Sequence, residues 1–206
     1  MGYLAVVDYG AGNLMSVCKA LDFIGCENRI AHTARELEDA AGVILPGVGA
    51  FSDAMQALGE SGLREPVLAA ARQKPFLGIC LGMQMLFESS EEMGNTPGLG
   101  LLKGTVARIP TDLKLPQIGW NSLEIVRENP LTQGLCTGDW VYFVHSYQVV
   151  PQCEEDLSAV CDYHARVPAM VAKGNLFGCQ FHPEKSGETG LRILRNFAGL
   201  LREGNR

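Results

Sequence analysis

The N-terminal half of the sequence alternates between short apolar runs and helical periodicity, and this narrows the fold more than any other feature. Residues 3–8 form an apolar run ending in an acid, followed by the turn Tyr9-Gly10-Ala11-Gly12-Asn13. Leu14, Val17, Cys18, Leu21 and Ile24 then recur at the spacing of one helix face. Residues 27–31 read as a second strand. Thr33 is placed to cap a helix reaching residue 40, with Glu36 completing a capping box. Val43-Ile44-Leu45 is a buried-strand run that Pro46-Gly47-Val48-Gly49 is expected to stop. Residues 51–58 and 63–72 read as helices. Residues 76–79 are a fourth strand that enters the helical pattern of residues 80–88 with no linker. Strand and helix in alternation imply a parallel sheet covered on both faces.

The second half changes character. Residues 104–109, 123–126, 141–149, 157–163, 169–173 and 177–181 are β-like runs separated by turn residues. Lys173-Gly174-Asn175 supplies hairpin chemistry between the last two. Residues 191–201 predict a closing amphipathic helix, with Gly204 just beyond it. The expected architecture is α/β: a flavodoxin-like three-layer, mostly parallel sheet with helices on both faces, plus antiparallel β additions. No linker, repeat or low-complexity segment divides the chain, so residues 1–206 are expected to form one domain.

Composition excludes several classes. Hydrophobic residues make up 47% of the chain, enough for a large core. Lys+Arg 17 against Asp+Glu 23 gives a net charge of −6 without a basic run, which argues against nucleic acid as a partner. No apolar stretch reaches the roughly 18 residues of a membrane span. The N-terminus lacks a basic region before its first apolar run. No secretory signal is therefore expected, and a reducing, cytoplasmic location is.

There are 7 cysteines, an odd number. None stands in a C-x-x-C pair, which argues against zinc ligation and thioredoxin-type redox chemistry. Most are expected to be small buried hydrophobes. Cys80 differs. Gly78-Ile79-Cys80-Leu81-Gly82 has the form G-x-Cys-x-G where a strand turns abruptly into a helix. A nucleophile in such a turn has a strained backbone and needs glycine neighbours. Its thiol also lies at a helix N-terminus, where thiolate is favoured and the Leu81 N–H can meet an oxyanion.

A thiol nucleophile needs an imidazole base and a group to orient it. His32 falls in a surface turn, His145 follows an apolar strand, and His164 lies in a polar stretch. His182 ends a strand and is followed by Pro183-Glu184. The proline breaks the strand, so His182 and Glu184 emerge together, as base and orienting carboxylate. Pro46-Gly47-Val48-Gly49 should lie at the carboxyl edge of the sheet and offer a second source of oxyanion N–H groups. Neither this block nor Gly10-Ala11-Gly12 fits a nucleotide-binding loop.

The blocks LPGVG, GICLGMQ and QFHPE resemble, in order and separation, the three signature blocks of the class I glutamine amidotransferase family. The resemblance covers essentially the whole chain. DYGAGNL, LPGVGAF, GICLGMQMLFESSEE, the run from Pro116 to Asn121, YFVHSY and QFHPEKSG look like its histidine-pathway branch. The resemblance implies that L-glutamine is hydrolysed to glutamate and ammonia through a Cys80 thioester, with His182 and Glu184 completing a triad. It assigns the oxyanion to N–H groups of Leu81 and of Gly47, Val48 and Gly49. Substrate would be held by Gln84 and by the Ser146-Tyr147 backbone, with no cofactor and no metal.

In that branch the ammonia passes to a (β/α)8-barrel cyclase subunit within a heterodimer. The cyclase makes imidazole glycerol phosphate and an aminoimidazole carboxamide ribotide. The resemblance places Asn13, Trp120, Asn121 and Lys185 at the interface. Trp120 is expected in an exposed Gly-Trp-Asn turn, and exposed tryptophan is a frequent hot spot. Two other readings stand beside this one, a stand-alone thiol hydrolase and a catalytically silent binding module. Gln84 and the Pro-Gly-Val-Gly block argue against the first. Intact Cys80, His182 and Glu184 argue against the second.

Overall fold

The computed structural model describes residues 2–203. Its N-terminal half follows the alternation: β1 (Leu4–Val7), α1 (Leu14–Phe23), β2 (Asn28–Ala31), α2 (Ala34–Asp39), β3 (Gly42–Gly47), α3 (Phe51–Glu60), α4 (Arg64–Gln73), β4 (Phe76–Cys80) and α5 (Leu81–Met85). The capping box of Thr33 and Glu36 is present at the start of α2. Two corrections apply. Pro46 does not stop its strand, since β3 continues to Gly47. The pairing of β1 with β3 ends at Ile44, so beyond it Pro46 has a ladder partner only in β4, where it faces Ile79. The helix after Cys80 is also shorter than its pattern suggests. The carbonyls of Met85, Leu86 and Phe87 accept N–H groups from Leu99, Leu101, Leu102 and Gly100, which ends the helical ladder.

The second half supplies β5 (Ser89–Ser90), β6 (Thr96–Pro97), β7 (Gly104–Arg108), β8 (Gln117–Ser122), β9 (Glu124–Ile125), β10 (Trp140–His145), β11 (Tyr147–Pro151), β12 (Leu157–Asp162), β13 (Arg166–Lys173) and β14 (Leu176–Cys179). The closing helix α6 spans Gly187–Glu203. Gly204, expected just past it, lies outside the described residues. The single run expected over 141–149 is split at Ser146 into β10 and β11. Trp120 lies in β8, paired antiparallel with β10, and not in a turn. The hairpin of β13 and β14 forms as expected around Gly174-Asn175.

The main sheet runs in the order β2-β1-β3-β4-β14-β13-β12-β9. The first five strands are parallel, and β13, β12 and β9 extend the sheet antiparallel. Successive residues of β1 enter opposite cores, which is why the strand is apolar throughout. Ala5 and Val7 join Leu37, Phe51, Leu58 and Val67 on one face. Leu4 and Val6 join Val17, Leu21, Ile193 and Phe197 on the other.

Close packing at the end of β4 leaves no room for side chains. A Cβ on Gly82 would collide with the Leu45 carbonyl oxygen, and one on Gly78 would lie 2.7 Å from the Met83 backbone. Gly82→Ala is therefore expected to destabilise the fold by about 3 kcal/mol or more. Denaturant unfolding should show it, with Gly59→Ala, on an open helix surface, as the well-tolerated control.

Candidate active site

Strands β3, β4 and β14 are adjacent and parallel, so their carboxyl ends converge. Gly47 is in register with Cys80, and Ile79 with Cys179. The chain beyond β14 therefore passes beside the turn after β4. At that turn Cys80 has φ +55 and ψ −113, a left-handed conformation outside the αL basin. Such a residue carries roughly 1–3 kcal/mol of strain. It holds its place because the glycines on either side let β3, β4 and α5 close around it.

His182 leaves the sheet beside it, its N–H donating to the Tyr142 carbonyl at 3.0 Å. Pro183 then opens a single 3-10 turn over Pro183–Lys185, which folds Glu184 back onto the imidazole. His182 Nδ1 lies 2.8 Å from Glu184 Oε1, and both side chains are almost fully buried. The Ser186 hydroxyl fixes the turn by donating to the His182 carbonyl at 2.6 Å and accepting the Tyr142 N–H at 3.0 Å. His182 Nε2 is buried and makes no hydrogen bond. Burial alone would lower this imidazole. The Cys80 sulfur in its anionic form and the Glu184 carboxylate outweigh it and push it up to about 9.

Cys80, His182, Leu81, Gln84, Val48 and Gly49 line one cavity of about 380 Å³, together with Ser146, Tyr147, Lys185, His145 and Glu92. That volume is in the range of small-molecule sites. A strained cysteine, a buried imidazole and a carboxylate on that imidazole are the residue types that a nucleophile, base and orienter require.

The family model of glutamine amidotransferase class-I matches residues 5–200. This chain belongs to that family. The imidazole glycerol phosphate synthase subunit HisH of Caldanaerobacter subterraneus subsp. tengcongensis is 48% identical over 200 residues, 97% of this chain and 98% of its own. The protein of the same description from Geobacillus kaustophilus is 50% identical over 204 residues, 96% of each chain. The structure of PurLQS from Thermotoga maritima superposes with a TM-score of 0.77 at 23% identity, covering 98% of this chain and 100% of that one. It shares the fold.

The other residues named from the sequence divide in this class-I amidotransferase. Gln84 is buried, and its amide donates to the Tyr147 carbonyl and to Gln180 Oε1, each at 2.9 Å. Both its N–H groups are thus used, which leaves Oε1 as the free acceptor. The Ser146 carbonyl already accepts from Ile109, and that of Tyr147 from Gln84. This segment is left with N–H groups and the Ser146 hydroxyl to offer a ligand. Lys185 is exposed at the cavity. Trp120 is exposed on β8, with Ile118 beside it and Tyr142 packed edge-on at 6.2 Å. Asn13 is half-buried before α1, without a side-chain cap. Asn121 is occupied locally, by the Asp162 carbonyl and the Ser122 N–H.

Three residues at the site were not singled out from the sequence. Gln180 is fully buried two positions before His182, and that spacing in an extended segment was the available signal. Glu92 reaches the cavity wall while accepting the Phe51 N–H at 2.8 Å, at the start of α3. His145 is buried beside the cavity, its Nδ1 2.8 Å from the Tyr147 carbonyl. The expectation of buried cysteines holds for Cys18, Cys161 and Cys179, but Cys136 is exposed and Cys26 and Cys153 are half-buried. Burial pushes the Cys161 thiol up to about 11 and that of Cys179 well above its usual value.

Burial also pulls His145 down from 6.5 to about 4, the Tyr147 carbonyl opposing and His182 reinforcing the shift. The unfolded chain therefore takes up this proton first as the pH falls. The stability that depends on a neutral His145 is present above pH 6.5 and is lost towards pH 4. His145→Asn keeps a donor for Tyr147 but cannot charge. Its melting temperature, followed between neutral pH and about 4.5, should fall less steeply than that of the wild type.

Proposed function

We propose that this chain is the glutamine-hydrolysing subunit of an imidazole glycerol phosphate synthase, with Cys80, His182 and Glu184 as its catalytic triad. The observation that carries the reading is the Cys80 elbow, set in one cavity with an imidazole that a buried carboxylate holds. Cys80 Sγ, its proton already passed to His182, attacks the side-chain carboxamide carbon of L-glutamine. His182 returns that proton to the nitrogen, the C–N bond breaks, and ammonia leaves a glutamyl thioester. Water then attacks the thioester, His182 accepts and redelivers its proton, and glutamate departs from the restored thiol. Glu184 stabilises the imidazolium in both halves of the cycle.

The oxyanion falls to backbone N–H groups of Leu81 and of the Gly47-Val48-Gly49 segment, each worth roughly 3 kcal/mol of barrier. Gln84 contributes to holding the substrate, and the backbone of Ser146 and Tyr147 holds its α-groups. Glu92 and Lys185 bring a carboxylate and an ammonium to the same cavity, a pairing suited to a zwitterionic amino acid. All of these groups belong to the chain itself, so the reaction as written needs no cofactor and no metal.

The ammonia goes to a cyclase of (β/α)8-barrel fold, in a heterodimer. Exposed Ile118, Trp120 and Trp140 give the β8–β10 ribbon an apolar outer face that suits a partner. Asn13, Asn121 and Lys185 complete that interface. Trp120 also lies near Gly187, the first residue of α6 and two beyond the turn that carries Glu184, so a partner seated on Trp120 sits close to the triad's support. The chain works as a single domain over residues 1–206 in the cytoplasm. Among the described residues, no helix is long and apolar enough to cross a membrane.

The test is glutamate release from the purified chain with and without its cyclase. Activity should be weak alone and should rise when the cyclase is bound. Glu184→Gln should lower kcat of the complex by roughly a hundredfold or more, with a small change in KM. Trp120→Ala should weaken the complex by about tenfold or more and leave the isolated fold intact. Strong glutaminase activity independent of any partner would contradict the coupling.

A further inference from the structure

The cavity has a buried group on its nucleophile that the triad does not use. Gln180 is fully buried in the segment between β14 and His182. Its Nε2 lies 3.7 Å from Cys80 Sγ, and its Oε1 accepts from Gln84 Nε2 at 2.9 Å. Gln84 Nε2 donates in turn to the Tyr147 carbonyl. The direction of this chain is not free. A backbone carbonyl can only accept, so Gln84 must turn its NH2 towards Tyr147. The second N–H of that group then meets Gln180, which must answer with its carbonyl oxygen. That leaves the Gln180 NH2 facing the sulfur. The Val144 carbonyl stands at 4.0 Å from the sulfur, and three titratable groups also interact with it: His182, Tyr9 and Cys179.

We propose that Gln180 is a fourth working group of the site, its N–H donating to the Cys80 sulfur to hold it in place and favour its thiolate, with the direction of that bond set by the Tyr147 carbonyl through Gln84. A donor on sulfur stabilises the anion and opposes a neutral acceptor role, so it acts on the nucleophile itself. The same amide chain joins Gln84, a lining residue of the cavity, to the attacking atom. Gln180 thereby links occupancy of the substrate site to the position of the sulfur. This inference rests on the reading of Cys80 as the nucleophile of a glutaminase.

The test uses the full chain and iodoacetamide as the probe, with alkylation followed on the Cys80 peptide by mass spectrometry across a range of pH. Gln180→Met keeps the shape of the side chain and removes the donor. Its alkylation profile should move to higher pH by roughly one unit relative to wild type. Gln180→Glu places a carboxylate opposite the sulfur and should move the profile further in the same direction. A purely structural role would perturb both variants alike and leave the midpoint in place, so profiles superimposable on wild type would overturn the proposal. Should Gln180→Met fail to fold, Gln84→Leu removes the group that orients Gln180 without touching it. A smaller shift to higher pH is expected there, and no shift would equally count against the proposal. The readout is independent of turnover. A wild-type chain that alkylates at Cys80 yet releases no glutamate with its cyclase bound would sink the proposed activity and leave the N–H···S bond to be judged on the profiles alone.

Discussion

The structure depends on one tight approach, where the chain reverses at Cys80 and packs its first helical residues against β3. Gly82 has no room for a Cβ beside the Leu45 carbonyl, and a Cβ on Gly47 would lie 2.8 Å from the Gly82 N–H nitrogen. Only a chain with glycine on both sides of the contact can bring β3, β4 and α5 this close. The Cys80 backbone takes up the remaining misfit at φ +55. Its strain, roughly 1–3 kcal/mol, is small beside the burial of the two cores that flank the sheet. The result is a sulfur raised off the sheet into the cavity on rigid elements, where a nucleophile gains most from being held.

The second constraint is topological. β14 is inserted beside β4 in parallel, so residues a hundred positions later in the chain meet the elbow. The polar groups that arrive there are buried, and most are satisfied in pairs: His182 by Glu184, Gln84 by Gln180 and Tyr147, His145 by Tyr147. The buried atoms left over include His182 Nε2, His145 Nε2 and Glu184 Oε2. Unpaired polar atoms are costly in a core. Two of the three belong to residues lining the cavity, and the third is on the carboxylate that holds one of them.

Much of this was legible in the sequence because the rules involved are local. The alternation of apolar runs and helical spacing reports a sheet buried on both faces. The glycines around Cys80 report a sharp turn, and the proline between His182 and Glu184 reports a strand end. What escaped depended on distant partners. Gly119-Trp120-Asn121 reads as a turn because the pattern of β8 is inverted: Gln117 is buried while Ile118 and Trp120 face outward. An outward apolar face makes sense for a strand that meets a partner, and a single chain does not reveal it. The early end of α5 depends on N–H groups from residues 99–102, and no local signal announces them. Gln180, His145 and Glu92 sit in the site by virtue of tertiary contacts that spacing alone does not specify.

The central claim is that Cys80 is the one activated thiol of this chain and that it takes the side-chain carbonyl carbon of glutamine. The most direct measurement is covalent trapping by a diazo-ketone analogue of glutamine, with the cyclase present and the adduct located by peptide mass spectrometry. The account predicts a single adduct, on Cys80, suppressed by excess L-glutamine and absent in Cys80→Ala. An adduct on another cysteine, or none on Cys80 in the intact complex, would contradict it.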